Sequence, residues 1–306
     1  MPFGKIVGNE KIKKILIETI ESNNILHSYM FIGKDGIGKK IMAEEFAKMI
    51  LCQSNANKPC EICKSCIEFN NNNNPDYIKI EPDGNSIKIE QIRNIQNKII
   101  EKPIISNKKV YIIDDSEKMT TEAQNCLLKT LEEPPEFIVI ILITSNENLM
   151  LNTIKSRCTK INFDKLTNDE IIQILKEKFE SSKYAQNIIN ASEGSMGKVL
   201  HFQEKKELYD TIDDIFKNIS NMDIIDLVNK SRIIYQSKND IFDILNYINT
   251  ILYQNMKQDY LNNKKYINSM ETVEKTKNRL NSNGNYDMSI DFLVFKIWEE
   301  LNKWNI

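Results

Sequence analysis

The sequence predicts an α/β parallel sheet in roughly its first half and helices alone after it. Two continuous apolar runs, "VYIID" and "FIVIILIT", are typical of strands buried on both faces of a parallel sheet. Helical patterns alternate with such runs up to "KINF", as in crossover units, and no β-rich run follows. We therefore predict a sheet domain at 1–163, a small helical domain at 164–205 and an all-helical domain at 206–306.

The composition indicates a globular protein of more than one domain. A chain of 306 residues with 41% hydrophobic residues can bury a core without disulfides, and its net charge of −2 gives no overall attraction to nucleic acid. The N-terminus has no signal-peptide pattern, and no run approaches the roughly 20 apolar residues of a membrane span. We expect a cytoplasmic protein with no membrane contact.

The predicted elements alternate along the first domain. The strand "HSYM" is followed, after a glycine-rich loop, by the helix "IMAEEFAKMIL". In "TTEAQNCLLKTLEEPP", Thr121 and Gln124 have the spacing of a capping box, and Pro134 ends the helix. Thr167 and Glu170 open a further capped helix, "TNDEIIQILKEKFE", which begins the second predicted domain.

The loop "GKDGIGKK" matches the phosphate-binding form G-x-x-x-x-G-K-[ST] except at its last position. In such loops the glycines let backbone N–H groups surround the phosphates, and the lysine contacts the β and γ phosphates. Gly33, Gly36, Gly38 and Lys39 meet these needs, but Lys40 stands where a hydroxyl would bind Mg²⁺. The alternative is an ordinary glycine turn, which the flanking strand and helix disfavour.

Two carboxylates, Asp114 and Asp115, end the apolar strand in "VYIIDDSEK". Next to a phosphate loop, a strand-end aspartate holds magnesium, and the residue after it is usually a glutamate that orients the attacking water. Asp115 is one methylene shorter than glutamate, and catalysis is sensitive to displacements of about 1 Å. We interpret the pair as part of a weakened ATPase-like site; the alternative is two solvated carboxylates.

Four cysteines lie within 15 residues in "CQSNANKPCEICKSC", namely Cys52, Cys60, Cys63 and Cys66. Two overlapping C-x-x-C steps and one upstream cysteine supply four thiolates, which suits tetrahedral zinc. Disulfides are disfavoured in a reducing compartment, and a redox motif would not need four cysteines. Because all four positions would be sulfur, we predict a structural zinc module at 52–66.

The motifs together resemble those of bacterial clamp-loader subunits of the AAA+ class. The quoted stretches "IVGNE", "GKDGIGK", the four-cysteine insertion, "NCLLKTLEEPP", "ITSN" and "IKSRC" occur in the family's order, and the resemblance covers the whole chain. It implies an ATPase-like domain, a helical lid and a helical collar through which five subunits assemble. The implied partners are gamma/tau and delta subunits of DNA polymerase III, with the sliding clamp and primer-template DNA reached through the complex.

Within this family the departures favour the delta-prime type over the ATP-hydrolysing gamma/tau type. Active subunits have Ser or Thr in place of Lys40, Glu in place of Asp115 and Arg in place of Gly197, and Lys198 is an uncertain substitute for that arginine. The resemblance thus implies a non-polymerising subunit of the polymerase holoenzyme with weak or absent ATPase activity. Binding of ATP and magnesium by this chain stays open, and the alternative is an active gamma/tau-like subunit.

The resemblance also implies roles for two further residues. Arg157, in "KSRC", matches an arginine finger that acts on the ATP of a neighbouring subunit, and Asn146, in "ITSNE", matches a sensor of the γ-phosphate. The alternative for Arg157 is a simple ion pair with a nearby carboxylate. A third hypothesis, in which Lys58 and Lys64 let the zinc module touch DNA, is weaker because few basic and no aromatic residues are interleaved there.

Overall fold

A computed structural model of the chain describes residues 2–54, 57–179, 186–259 and 263–302, with the side chain of Phe179 left out. The chain divides into two compact units, each of two segments. The first consists of Met1–Glu180 and Gly194–Gly197, and the second of Ser181–Glu193 and Lys198–Ile306. The three domains predicted from the sequence, with boundaries after 163 and after 205, stay a prediction.

The first unit is built on a five-stranded parallel sheet in the order β2-β3-β4-β1-β5. The strands are β1 Ser28–Ile32, β2 Tyr77–Ile80, β3 Lys109–Ile113, β4 Ile138–Thr144 and β5 Thr159–Asn162. The predicted α/β fold with a parallel sheet is confirmed. Strands β3 and β4 are buried along their whole length, as their continuous apolar sequences indicated.

Helices cover both faces of this sheet. The helices of the first unit are α1 Glu10–Glu21, α2 Lys39–Leu51, α3 Lys64–Asn70, α4 Ile89–Ile99, α5 Thr121–Glu132, α6 Asn152–Lys155 and α7 Asn168–Phe179. Residues of α1 and α2 join the core on one face of the sheet, and residues of α4, α5 and α6 join the core on the other. Because side chains alternate along a strand, Val110 and Ile112 join the core formed with α1 and α2, whereas Tyr111 and Ile113 join the core formed with α4 and α5. The sheet is therefore the middle of three layers.

The cap of α5 differs from the prediction by one residue. Thr120, not Thr121, is the N-cap, and its hydroxyl oxygen accepts a hydrogen bond from the backbone N–H of Ala123 at 3.2 Å. Gln124 is buried, and its side-chain oxygen accepts a 2.8 Å hydrogen bond from the N–H of Leu151 instead of closing a box. The prediction was wrong because it required a capping box, whereas the cap that forms is Thr120 alone, with Ala123 three residues on.

The capping box of α7 is confirmed. The backbone N–H of Thr167 donates to Oε2 of Glu170 at 2.7 Å, and the N–H of Glu170 donates to the hydroxyl of Thr167 at 3.2 Å. Just before this helix, the amide of Asn9 forms hydrogen bonds with both the N–H and the carbonyl of Asp164, at 2.9 and 3.1 Å. These bonds fasten the start of the chain to the segment that leaves the sheet.

The described part of the second unit is entirely helical. It comprises α8 Gln186–Ala191, the part of α9 (Met196–Glu204) from Lys198 onward, α10 Lys206–Asn218, α11 Ile224–Gln236, α12 Ile241–Gln258, α13 Asn263–Asn281 and α14 Tyr286–Asn302. Helix α12 packs against α8, α10 and α13, and the rings of Tyr209 and Tyr247 meet edge to face at 4.9 Å in its core. Among the helices described in either unit, none has the length and apolar character of a membrane span.

Candidate functional site

The register of the sheet gathers the predicted phosphate-site residues at one edge. Ile32, at the end of β1, lies opposite Thr144, at the end of β4, and the N–H of Gly33 donates to the carbonyl of Thr144 at 3.2 Å. Asp114 directly follows β3, and Asn146 is the second residue after β4. Both therefore lie at the carboxyl end of the same sheet. That edge is where open parallel sheets bind their ligands.

The glycine loop has the backbone that its sequence predicts. Gly36 and Gly38 have φ values of 73° and 95°, in the left-handed region that favours glycine. A Cβ on Gly36 would lie 2.4 Å from the hydroxyl oxygen of Ser195 and 2.7 Å from the Cα of Gly197. The N–H of Gly197 donates to the carbonyl of Gly36 at 3.1 Å, and the Ser195 hydroxyl donates to the carbonyl of Asp35 at 2.7 Å. Backbone of the segment 194–197 thus lies directly on the loop.

Lys39 is folded into the loop that it belongs to. Its side chain is 6% exposed, and its ammonium donates to the carbonyls of Gly33 and Lys34, the latter at 2.7 Å. Burial lowers the pKa of Lys39, and the carboxylates of Asp35 and Glu117 oppose that shift. A phosphate in the loop would therefore compete with carbonyl oxygens for this ammonium.

Lys40 forms the central ion pair of the site. Its Nζ lies 2.9 Å from Oδ2 of Asp114 and 2.7 Å from Oε1 of Glu81, the residue that follows β2. Burial by itself would lower the pKa of Lys40, but hydrogen bonds to these carboxylates outweigh it and raise the pKa above its ordinary value. Lys40 is therefore charged at neutral pH and bound directly to the strand-end aspartate.

The second aspartate of the pair belongs to a different cluster. Asp115 has a φ of 47°, in the left-handed region, and pairs with Lys118 at 2.8 Å. Carboxylate oxygens of Asp35, Asp115 and Glu117 lie within 4.8 Å of one another, and Glu117 also accepts hydrogen bonds from the N–H and hydroxyl of Ser145. Negative charge therefore accumulates beside the loop, which disfavours a bound polyphosphate.

Asn146 and Lys198, both considered as nucleotide contacts, have partners in the chain itself. The side-chain oxygen of Asn146 accepts a hydrogen bond from the N–H of Asn148 at 3.1 Å and so caps a short 3₁₀ turn. The ammonium of Lys198 lies 2.9 Å from Oδ1 of Asp243 within the second unit. Their proposed roles at a phosphate stay predictions.

The position at Asp114, where the fold class implies a magnesium ion, does not fit that ion. Mg²⁺ requires oxygen ligands at about 2.0–2.1 Å in near-octahedral geometry. Lys40 supplies only donors, and its ammonium is already in contact with the carboxylate of Asp114 that would have to bind the ion. The glycine loop is intact, but the cation position beside it is filled by a side chain.

Arg157 lies between α6 and β5, just before β5 begins. It is therefore at the amino end of the sheet, opposite the edge that carries the glycine loop. Its backbone is fixed because its carbonyl accepts a 2.6 Å hydrogen bond from the hydroxyl of Ser28. The side chain is 34% exposed, and its Nη2 lies 2.7 Å from Oε1 of Glu132 at the end of α5. Nη1 donates to the carbonyl of Thr153 at 2.9 Å. Glu132 is therefore the nearby carboxylate that the alternative interpretation of Arg157 required, and the pair holds the guanidinium near the surface.

The four predicted metal ligands come together. The sulfur atoms of Cys52, Cys60, Cys63 and Cys66 all lie within 4.8 Å of one another. Zn–S bonds of about 2.3 Å in a tetrahedron place sulfurs about 3.8 Å apart, so small shifts would close the site around zinc. Backbone hydrogen bonds from Ile62 and Cys63 lower the pKa of Cys60 to about 6, which favours the thiolate that a metal requires. Burial raises the pKa of Cys52 and of Cys66, so these two thiols would lose their protons when a metal binds.

Buried polar contacts hold this cysteine module on the sheet unit. Lys48 of α2 is buried and binds both carboxylate oxygens of Glu61, at 2.6 and 2.7 Å. Asp76, fully buried before β2, accepts 2.7 Å hydrogen bonds from three consecutive N–H groups starting at Ile104. The hydroxyl of Ser106, the last of the three, donates to the hydroxyl of Ser65 on α3 at 3.0 Å. The donor set and its rigid support fit a structural zinc ion, which would hold the loop by its four thiolates.

The sequence analysis did not identify two carboxylates that pair with predicted site residues, namely Glu81 with Lys40 and Glu132 with Arg157. Glu81 was not considered because β2, a four-residue edge strand with half-buried residues, was not predicted. Glu132 stands in the quoted stretch "KTLEEPP", which was treated only as a helix end. A signal existed for Glu81, since "YIKIE" alternates apolar and polar residues before a carboxylate, as a strand with one buried face does.

The fold and the site define a class of protein. A parallel sheet with a glycine loop after β1, an acidic pair after β3, an asparagine after β4 and a helical C-terminal part is the arrangement of the P-loop proteins of the AAA+ class. The family model described as "DNA polymerase III, delta subunit" matches residues 8–167, just over half of the chain. The chain belongs to this family, and the matched segment contains every predicted site residue.

Two relatives illustrate the similarity. The DNA polymerase III subunit delta' of Bacillus subtilis is 37% identical over 180 residues, which are 59% of this chain and 55% of that protein. The DNA polymerase III subunit tau of the same organism is 36% identical over 171 residues, which are 56% of this chain and 30% of that protein. The chain thus spans about half the length of the first relative and less of the second.

Solved structures give a weaker likeness. A DNA polymerase III gamma subunit-related protein from Thermotoga maritima covers 95% of this chain and 99% of its own, with a TM-score of 0.45 and 17% identity. The fold assignment accordingly rests on the strand order and loop geometry of this chain.

The cysteine module predicts one zinc ion per chain. Protein purified under reducing conditions should contain about one equivalent of zinc, measured by plasma mass spectrometry, and Cys63→Ser should lose most of it and unfold at lower temperature. The matched control is Cys126→Ser, because Cys126 lies outside the cluster and its sulfur donates to Gln96, as a serine hydroxyl can. Equal zinc in wild type and Cys63→Ser would refute the assignment.

Proposed function

We propose that this chain acts as a delta-prime-type subunit of a DNA polymerase III clamp loader. It would assist ATP-driven loading of the sliding clamp as a stator and a donor of an arginine finger, without hydrolysing ATP effectively itself. The observation that carries the proposal is the ion pair between Lys40 and Asp114, at 2.9 Å. It fills the position from which Mg²⁺ would act, in a chain whose relatives include both delta' and tau subunits.

The proposed partners are gamma/tau and delta subunits in a hetero-pentamer. The sliding clamp and primer-template DNA would be reached through that complex, in the bacterial cytoplasm. The helical second unit, and within it the predicted collar at 206–306, would provide the assembly surface. The zinc ion would be structural in this scheme, because four cysteine ligands leave no open position for water or substrate.

Arg157 would provide the chain's chemical contribution. An arginine finger stabilises negative charge that develops on the transferring phosphoryl group of a neighbour's nucleotide. The exposed pair with Glu132 is weak in water, so a phosphate of higher charge can replace that carboxylate at small cost. Because the backbone of Arg157 is fixed to Ser28, only the side chain needs to turn when a partner docks.

An active, gamma/tau-like ATPase is the second candidate. The intact glycine loop, Lys39 within it and the 36% identity to a tau subunit favour this alternative. It requires that Lys40 leave Asp114 and that Mg²⁺ bind there without the usual hydroxyl. The contacts of Lys40 with two carboxylates argue against that exchange.

Arg157→Ala should slow ATP turnover in a complex reconstituted with gamma/tau and delta subunits. A finger contributes about 10³–10⁵ in rate at the site that it serves, so that site should nearly stop, and total turnover should fall by at least that site's share of it. The measurement is steady-state phosphate release, with assembly checked by size-exclusion chromatography. Lys160→Ala, which breaks the exposed pair with Glu147 in the same unit, is the control and should leave turnover unchanged. Normal turnover by an assembled Arg157→Ala complex would refute the finger.

The isolated chain should release phosphate from ATP no faster than its Lys39→Ala variant. The reason is that the cation position is filled by Lys40, so the intact loop lacks the metal that phosphoryl transfer uses. Phosphate release with Mg²⁺ present measures this. Robust turnover that Lys39→Ala abolishes would favour the gamma/tau-like alternative.

A further inference from the structure

Lys40 belongs to a chain of alternating charges that crosses the carboxyl edge of the sheet. Its ammonium bridges Asp114 and Glu81, and Glu81 also pairs with Lys79 at 3.0 Å. Lys79 in turn lies 3.4 Å from Oε1 of Glu44, one turn after Lys40 on α2. Each carboxylate therefore has a cation partner without any bound ion.

Lys40 occupies the place in this network that a metal ion would take in a magnesium-dependent site. It lies at the start of α2, immediately after Lys39, and it joins the loop to the residues that follow β2 and β3. Asp114 is only 14% exposed, so a carboxylate there needs a positive partner more than an exposed one would. In a magnesium-dependent site, that partner is the metal.

We propose that the Lys40 ammonium is a built-in substitute for the divalent cation at Asp114, so that the site keeps its arrangement without Mg²⁺ and excludes Mg²⁺ from it. Two departures from a magnesium-dependent site support this proposal. The Ser or Thr hydroxyl that would bind Mg²⁺ is replaced by Lys40, and the positive ammonium of Lys40 is in direct contact with the carboxylate of Asp114.

The substitution has a conformational consequence. In a metal-dependent loop the contacts at the edge of the sheet form and break as the metal-bound nucleotide arrives and leaves. Here the cation is a side chain attached to α2, and ion pairs join it to Asp114 and Glu81. On this proposal the contacts at the edge should change little when Mg²⁺ is added. This inference concerns the chain alone and stands apart from any role of Arg157 in an assembly.

The test replaces the ammonium with the hydroxyl that such loops carry. Zinc-loaded wild type, Lys40→Thr and the control Lys160→Thr are compared by thermal unfolding in Mg²⁺-free buffer and in millimolar MgCl₂, at constant ionic strength. Lys160 is a fair control because it also forms a 2.7 Å pair with a glutamate, Glu147, and that pair involves neither Asp114 nor Glu81. We expect Mg²⁺ to raise the unfolding temperature of Lys40→Thr only.

Direct binding gives a second measurement. Mn²⁺, titrated into each protein and followed by electron paramagnetic resonance, should bind Lys40→Thr about 10-fold or more tightly than wild type, because a like charge in contact has been removed. Adding Asp114→Asn to Lys40→Thr should abolish the gain. If Lys40→Thr does not fold, the wild-type titration still decides: a site on wild type that Asp114→Asn removes would overturn the proposal, as would equal Mg²⁺ responses in wild type and Lys40→Thr.

Discussion

Parallel pairing of β1 with β4 and β5, and of β3 with β4, is the constraint on which the rest of the first unit depends. It places the ends of three neighbouring strands at one edge, and hence the glycine loop, Asp114 and Asn146 together. It also requires helices on both faces, because strands buried on each side cannot face water. The site is thus a consequence of topology, and its chemistry depends on which side chains meet there.

At that edge the cations are bound by the chain itself. Lys39 donates to loop carbonyls, and Lys40 is shared between Asp114 and Glu81. Arg157 is held by the half-exposed carboxylate of Glu132 and by the carbonyl of Thr153. The two pairs differ in burial, since Asp114, the partner of Lys40, is nearly buried and Glu132, the partner of Arg157, is half-exposed.

The sequence was sufficient where a pattern is local or continuous. The apolar runs predicted β3 and β4, and the spacing of four cysteines predicted a cluster that the structure brings together. The sequence was insufficient where the role of a residue depends on a partner that is distant in the chain and close in space. Lys40 could be recognised as the wrong residue for magnesium, but its partner Glu81 follows a four-residue edge strand whose only signal is the short alternation in "YIKIE". Likewise, the spacing of Thr121 and Gln124 does not reveal that Gln124 bonds to Leu151 and that Thr120 caps the helix.

Two features would distinguish this chain from an active ATPase: Lys40 as the cation at Asp114, and Arg157 acting on a neighbouring subunit. The most direct measurement is a cryo-electron microscopy map of the chain assembled with gamma/tau and delta subunits in the presence of Mg²⁺ and a non-hydrolysable ATP analogue. The account predicts Lys40 on Asp114 with no metal between them, and the guanidinium of Arg157 moved from Glu132 to the neighbour's γ-phosphate. A magnesium-bound nucleotide in this chain's own loop, with Arg157 still on Glu132, would contradict it.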